Sequence, residues 1–128
     1  MTPIDSSLQT AAQTLIQQLL GQVSGLRAVV VSTEDGFEVA AHTDEVAQVA
    51  RLSAMASSLA ALSAVAGEES KLGACDHVLI GAANGHILMM QCKRGEVGLI
   101  VSLITSKEVI LGQALYALRH AVKELQKS

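Results

Sequence analysis

The hydrophobic and polar positions are distributed most unusually over Glu45–Gly67, where Arg51 is the only charged residue after Glu45 and before Glu68. The large apolar positions alternate at spacings of three and four, which predicts a helix that packs one stripe against a hydrophobic layer. That stripe comprises Leu52, Met55, Leu59, Leu62 and Ala66. The opposite side of the helix carries Val46, Ala50, Ser53, Ser57, Ala60 and Ala64. We therefore expect the large side chains to face the interior and the small ones to face another protein chain.

Two further helices are predicted near the ends of the chain. Residues 6–21 begin with a Ser6–Gln9 capping box, and their apolar stripe is Leu8, Ala12, Leu15, Ile16 and Leu19. The last helix is expected to begin at Thr105, where Glu108 completes a second capping box and Ile104 and Val109 form a hydrophobic staple. Its stripe is Leu111, Leu115, Leu118, Val122 and Leu125.

Five strands are predicted between these helices. Residues 26–33 and 37–42 flank an Asp35-Gly36 turn, and residues 77–82 and 86–92 flank Asn84-Gly85, the strongest two-residue hairpin signal. Residues 97–103 follow as the fifth strand. These strands are apolar at successive positions, so both faces of their sheet must be covered.

The resulting order is α-β-β-α-β-β-β-α. Short hairpin connections impose mostly antiparallel pairing. The sequence therefore predicts an α+β fold, a five-stranded sheet sandwiched between helices, with residues 1–128 forming a single domain.

Composition and charge narrow the classes of partner. Half of the residues are hydrophobic, yet Phe37 and Tyr116 are the only aromatic residues, and the mean hydropathy is +0.41. Such a composition favours apolar surface covered in an oligomer. A net charge of −3 provides no basic stripe for nucleic acid. The N-terminus lacks the pattern of a signal peptide, and the uncharged run 52–67 is shorter than the roughly 20 apolar residues of a membrane span. We expect a cytoplasmic protein.

Motifs for chemistry are sparse. The sequence contains no phosphate-binding glycine loop and no nucleophile or metalloprotease motif. The best metal-ligand candidates are Cys75, His77, His86 and Cys92. If Asn84-Gly85 is a two-residue turn, His77 and Cys92 become cross-strand neighbours, while the other two residues lie toward opposite ends of the hairpin. We interpret all four as ordinary strand residues, and expect no metal, no cofactor and no catalytic residue.

Three stretches, in their order, carry a family resemblance. The first is Gly25–Ala40, GLRAVVVSTEDGFEVA, an apolar strand followed by an acidic-Gly turn and a return strand. The second is the Ala-, Ser- and Leu-rich middle helix, and the third is the late hairpin with its following strand and terminal helix. Together they span nearly the whole chain and resemble the roadblock domain family, which is named for a dynein light chain and includes bacterial gliding-motility GTPase regulators.

The resemblance implies a homodimer in which middle helices pack side by side and third strands pair across a two-fold axis. On this chain those elements map to Val46–Ala66 and His77–Ala82. The implied dimer or partner interface comprises Val46, Ala50, Ser53, Ala54, Ser57, Ala60, Ala61, Ala64, Val78, Leu79 and Ile80.

The resemblance also implies a function. It favours a non-catalytic adaptor, closest to the bacterial type, that binds a Ras-like small GTPase and modulates its nucleotide cycle or localisation. One alternative is a structural scaffold subunit without effect on GTP turnover. Another is a small-molecule sensor on a similar αβα sandwich, although the sequence offers few polar core residues for a ligand pocket.

Overall fold

The structure, a computed structural model, describes residues 4–128. The expectation about a signal peptide rests partly on residues 1–3, which lie outside the described residues. The helices are α1 (Ser6–Gln22), α2 (Val49–Glu69) and α3 (Leu111–Lys127), and a short 3-10 helix, Val46–Gln48, leads into α2. The strands are β1 (Leu26–Thr33), β2 (Glu38–Thr43), β3 (Val78–Ala82), β4 (Gly85–Arg94) and β5 (Val97–Ser106).

The five strands form one antiparallel sheet in the order β2-β1-β5-β4-β3. This architecture and element order confirm the predicted α+β fold. Since β5 lies at the centre and is apolar at successive positions, it must be covered on both faces. Accordingly, α1 and α3 cover one face and α2 covers the other.

The two covered faces differ in size. Alternate β5 residues Leu99, Val101 and Leu103 point into a large cluster with α1 and α3. Ile100 points the other way, into a small cluster with Met89, Ala56 and Ala60 beneath α2. Most of the buried apolar contact therefore lies on the α1–α3 side of the sheet.

The start of α1 differs slightly from the prediction. Asp5 is the N-cap residue, and its Oδ1 accepts a hydrogen bond of 2.7 Å from the Leu8 backbone N–H. Ser6, the predicted cap, is the first residue of the helix. A carboxylate caps at least as well as a hydroxyl and also favours the positive end of the helix dipole. The predicted stripe from Leu8 to Leu19 is buried, as expected.

The predicted start of α3 at Thr105 is wrong. Thr105 is buried inside β5, between Leu26 of β1 and His86 of β4. Strand pairing on both sides provides hydrogen-bond partners for its backbone and suits a β-branched residue. These contacts override the local capping signal. The helix begins at Leu111, after Ile110, without a side-chain cap.

The β3–β4 hairpin turns one residue earlier than predicted. Ala82 pairs with Gly85, so Ala83 and Asn84 form the turn. A Cβ atom on residue 85 would collide with the Thr105 carbonyl oxygen of β5, which restricts this strand position to glycine. Val78 therefore lies opposite Met89, and the predicted pairing of His77 with Cys92 does not form.

Candidate protein-interaction surface

The orientation of α2 is the reverse of the predicted one. Its inward side carries Val49, Ser53, Ala56 and Ala60, all buried. The outward side carries Met55, Leu62 and Val65, which are 50%, 66% and 58% exposed. Ser53 and Ala60, predicted to face another chain, instead lie against the sheet.

The sheet surface beneath α2 explains this reversal. It carries Met89 and Ile100, which are bulky and fully buried. A helix that approaches such a surface packs closely when its own facing residues are small. Of the large stripe that was expected to face inward, Leu52 and Leu59 are half-buried, and Leu59 packs against the edge of the cluster. The large side chains of the sheet thus determine that the small-residue stripe of α2 faces inward. Those side chains, Met89 and Ile100, are distant from α2 in the sequence.

The remaining small residues predicted at the interface stay near the surface. Val46, Ala50, Ala54, Ala61 and Ala64 are exposed and flank the large outward side chains. Ser57 is half-buried, and its hydroxyl donates a 2.7 Å hydrogen bond to the Glu34 carbonyl oxygen. The outward side of the helix thus carries mostly apolar and small residues, with Arg51 as the charged residue among them. We call it the α2 outer face (residues 46, 50, 51, 54, 55, 57, 58, 61, 62, 64 and 65).

The edge of the sheet at β3 lies beside this surface. The strand pairs with β4 only, so one row of its backbone N–H and C=O groups has no strand partner among the described residues. Val78 and Ile80 are half-buried on the α2 side, whereas Leu79 points to the other side and is half-exposed. A groove of about 540 Å³ joins the end of α2 to β3, and Leu72, 83% exposed, lines it.

A bidentate ion pair holds the segment that leads into β3. The Arg119 Nη1 and Nη2 atoms on α3 each donate a 2.7 Å hydrogen bond to one oxygen of Asp76. His77 Nδ1 lies 2.6 Å from Asp76 Oδ2. The hydrogen bonds from Arg119, and then that from His77, hold the pKa of Asp76 well below its usual value. Asp76 in turn raises the pKa of Arg119.

Three hydroxyl groups are buried between α2 and the sheet without a hydrogen-bond partner within the described chain. They belong to Ser53 of α2 and to Ser32 and Ser102 of the sheet. Ser102 lies opposite Val30, two residues from Ser32 along β1, so the sheet serines are diagonal neighbours. Unpaired buried hydroxyls weaken a packed layer, so α2 is held less firmly than its burial alone indicates.

Titratable side chains do not converge on a reactive site in residues 4–128. No group of three or more His, Cys, Asp or Glu residues there is arranged to hold a metal ion. Cys75 and Cys92 are free thiols, and burial raises the pKa of Cys92 to about 11, which disfavours the reactive thiolate. The arrangement on the α2 side therefore offers apolar side chains and strand-edge backbone groups, which are features of protein contacts.

Residues Val46–Glu69 are long and apolar enough to cross a membrane by length and composition alone. Core helices of soluble proteins pass the same test, so this is weak evidence for a span. In this structure the helix lies on the sheet through Ser53, Ala56 and Ala60.

Comparisons with known proteins place these features in a family context. The model of the Roadblock/LC7 domain matches residues 12–102. The search of curated proteins returned no significant match.

Solved structures share the fold. A Roadblock/LC7 domain from Streptomyces avermitilis has a TM-score of 0.79 and 19% identity, covering 89% of this chain and 93% of its own. The gliding protein mglB from Thermus thermophilus has a TM-score of 0.81 and 13% identity, covering 99% and 96%. MglC from Myxococcus xanthus has a TM-score of 0.65 and 17% identity, covering 91% and 98%.

Proposed function

Because the chain belongs to the Roadblock/LC7 domain family, we propose that it is a cytoplasmic, non-catalytic homodimeric adaptor that binds a Ras-like small GTPase and modulates its nucleotide cycle or localisation. The observation that carries the proposal is the uncovered α2 outer face beside the open β3 edge. The family resemblance supplies the class of partner.

The dimer contact would begin at the α2 outer face. Met55, Leu62 and Val65 together expose more apolar surface than a helix in water normally carries. Ser58 lies between them, and Ala54 and Ala61 flank them on one side, so small side chains there let a second helix approach closely. Burying this surface against the same face of a second copy gives a two-fold contact, the commonest arrangement in homodimers.

The β3 edge would extend that contact. Pairing of two β3 strands across the same axis would satisfy their free backbone groups and join two five-stranded sheets into one. The proposed interface therefore retains Val46, Ala50, Ala54, Ser57, Ala61, Ala64, Val78, Leu79 and Ile80, gains Met55, Leu62 and Val65, and loses the buried Ser53 and Ala60.

The GTPase would contact the platform that two such copies create. The similarity to gliding proteins supports this interpretation. In this proposal the regulator acts by repositioning the GTPase's own residues. The site for the GTPase would therefore include part of the α2 outer face that the dimer leaves free.

Mixing the protein with the Ras-like GTPase encoded nearest to it tests the proposal. We expect complex formation and a changed rate of GTP hydrolysis or of fluorescent GDP release. Tight binding with both rates unchanged would contradict regulation and support the scaffold alternative. No binding, with the protein a proven dimer, would contradict the assignment of this partner.

A further inference from the structure

The second edge of the sheet, at β2, is also open. Strand β2 pairs with β1 only and is the last strand of the order at that end. One row of its backbone N–H and C=O groups therefore has no strand partner among the described residues. This edge lies at the opposite end of the strand order from β3, so a dimer built on β3 leaves it available.

The chain segment that contains β2 is strongly acidic. Residues 34–50 carry five carboxylates and no Lys or Arg, a formal charge of −5, although the whole chain carries only −3. The remaining residues hold nine Lys and Arg against seven acids and are net positive. Glu38, Asp44 and Glu45 are exposed, and the ion pairs within residues 4–128 involve none of them.

A groove and an apolar side chain accompany the edge. The groove, of about 630 Å³, runs along the outer side of α1 and reaches β2 at Val39; its walls include Gln9, Thr10, Gln13, Thr14 and Gln17. These walls carry amides and hydroxyls without charge. Phe37, the only phenylalanine, stands just before β2 and is 53% exposed.

We propose that the β2 edge binds an extended, Lys- or Arg-rich peptide segment of a partner protein by strand addition. Backbone hydrogen bonds to β2 would supply the part of the affinity that does not depend on the peptide's side chains, as in other edge-strand complexes. Glu38, Asp44 and Glu45 would favour basic side chains, Phe37 would contact an apolar residue, and the groove along α1 would receive uncharged side chains.

The same features disfavour a second copy of this chain as the occupant. Two β2 edges would bring Glu38 and its neighbouring carboxylates together, and like charges on paired strands repel. The register irregularity between Val31 and Ser32 also bends this edge, a device that limits unselective pairing. A basic strand would instead be attracted by Glu38, Asp44 and Glu45, none of which takes part in the ion pairs of Asp76.

A synthetic peptide tests the proposal on the full-length protein. The probe is an acetylated and amidated eight-residue peptide, Thr-Lys-Val-Lys-Thr-Lys-Val-Lys, titrated into isotope-labelled protein. We expect chemical-shift changes and slower amide exchange confined to β2 and the adjoining face of α1. A peptide with Glu in place of Lys should not bind. Methylation of the backbone nitrogens along the peptide edge that faces β2 should abolish binding, whereas methylation along the opposite peptide edge should be tolerated.

Two charge-matched variants separate a β2 site from general attraction. Glu38→Gln with Glu45→Gln should weaken binding at least threefold, whereas Glu68→Gln with Glu69→Gln, at the exposed end of α2, should change it less than half as much. Both pairs alter the net charge equally and replace exposed residues, so folding should be preserved in both.

Three results would overturn the proposal. One is equal weakening by the two variant pairs, and another is equal binding of peptides methylated on either edge; each would reduce the interaction to unspecific charge attraction. The third is protection of the β2 amides without peptide that disappears on dilution, because a second copy would then cover the edge.

Discussion

Arg119 on α3 donates two hydrogen bonds of 2.7 Å to the carboxylate of Asp76, a residue forty-three positions earlier in the chain. This pair ties the segment before β3 to the opposite layer of the fold. It therefore fixes the position of the start of β3 relative to α3. Strand β3 is one of the two elements of the proposed dimer contact.

Asp76→Asn should lower the melting temperature by a few degrees and should loosen the start of β3. The pair is half-exposed, so solvent screening keeps the effect small. Arg119→Gln should act in the same direction, and the double variant should be less destabilised than the sum of the two, because each single change removes the same interaction. Thermal unfolding of all four proteins measures this; additive effects would contradict the coupling.

The stabilising effect of Asp76 should depend on pH in one direction. Its pKa in the folded protein lies below the unfolded value of 3.8, so the unfolded state takes up the proton first as pH falls. The difference in stability between the native protein and Asp76→Asn should be constant at neutral pH and shrink below about pH 4. Denaturant unfolding at pH 7 and pH 3 measures the difference; a larger difference at pH 3 would contradict it.

Substitutions at two neighbouring α2 positions should have opposite consequences. Leu62→Glu places a charge on the α2 outer face, so it should dissociate the proposed dimer while changing the stability of the fold by less than about 1 kcal/mol. Ala60→Glu buries a charge against the sheet at a site 5% exposed and should destabilise the fold by about 3 kcal/mol or more. Sedimentation velocity and thermal melts distinguish the two. A folded Leu62→Glu dimer as tight as the native one would remove this face from the interface.

Removing an unpaired hydroxyl should stabilise the protein. Ser53→Ala deletes a fully buried group that has no hydrogen-bond partner within residues 4–128, and we expect a gain of about 1 kcal/mol in the free energy of unfolding. Ser58→Ala, on the exposed side of the same helix, is the control for helix propensity alone. Urea unfolding compares them; an equal gain in both would show that the buried hydroxyl costs nothing.

Two glycine substitutions should differ in sign. Gly85→Ala should destabilise the protein by about 2 kcal/mol or more, since its Cβ would meet the Thr105 carbonyl oxygen of the neighbouring strand. Gly112→Ala, in the first turn of α3 with no atom near the added methyl group, should stabilise by about 0.5 kcal/mol. A tolerated Gly85→Ala would contradict the hairpin register described above.

The sequence predicts the elements of this fold well because most of its signals are local. The stripe from Leu8 to Leu19 and the Asp35-Gly36 turn need only neighbouring residues to specify their structure. Thr105 shows the limit: its capping signal is local, but pairing with Leu26 and His86 decides its state. Gly85 behaves similarly, since the residue that restricts it lies on β5.

The candidate site is predictable only in part for the same reason. The positions of the middle helix and of β3 follow from periodicity and resemblance, whereas the buried face of the helix depends on Met89 and Ile100, far away in the chain. Periodicity alone therefore predicts that Met55 and Leu62 are buried, whereas both are exposed in the structure. Arg51 is the only charged residue between Glu45 and Glu68, and a single charge near the start of the helix leaves its rotation poorly determined by the sequence.

The unequal covering of the sheet has a consequence for local unfolding. The α2 side has a small cluster and three unpaired hydroxyls, whereas the α1–α3 side has the bulk of the core. We expect α2 to detach at a lower free energy than the rest of the molecule, so its amide hydrogens should exchange before those of β5. A second chain bound to α2 would suppress this opening, and the protein would then reach its full rigidity only as part of an assembly.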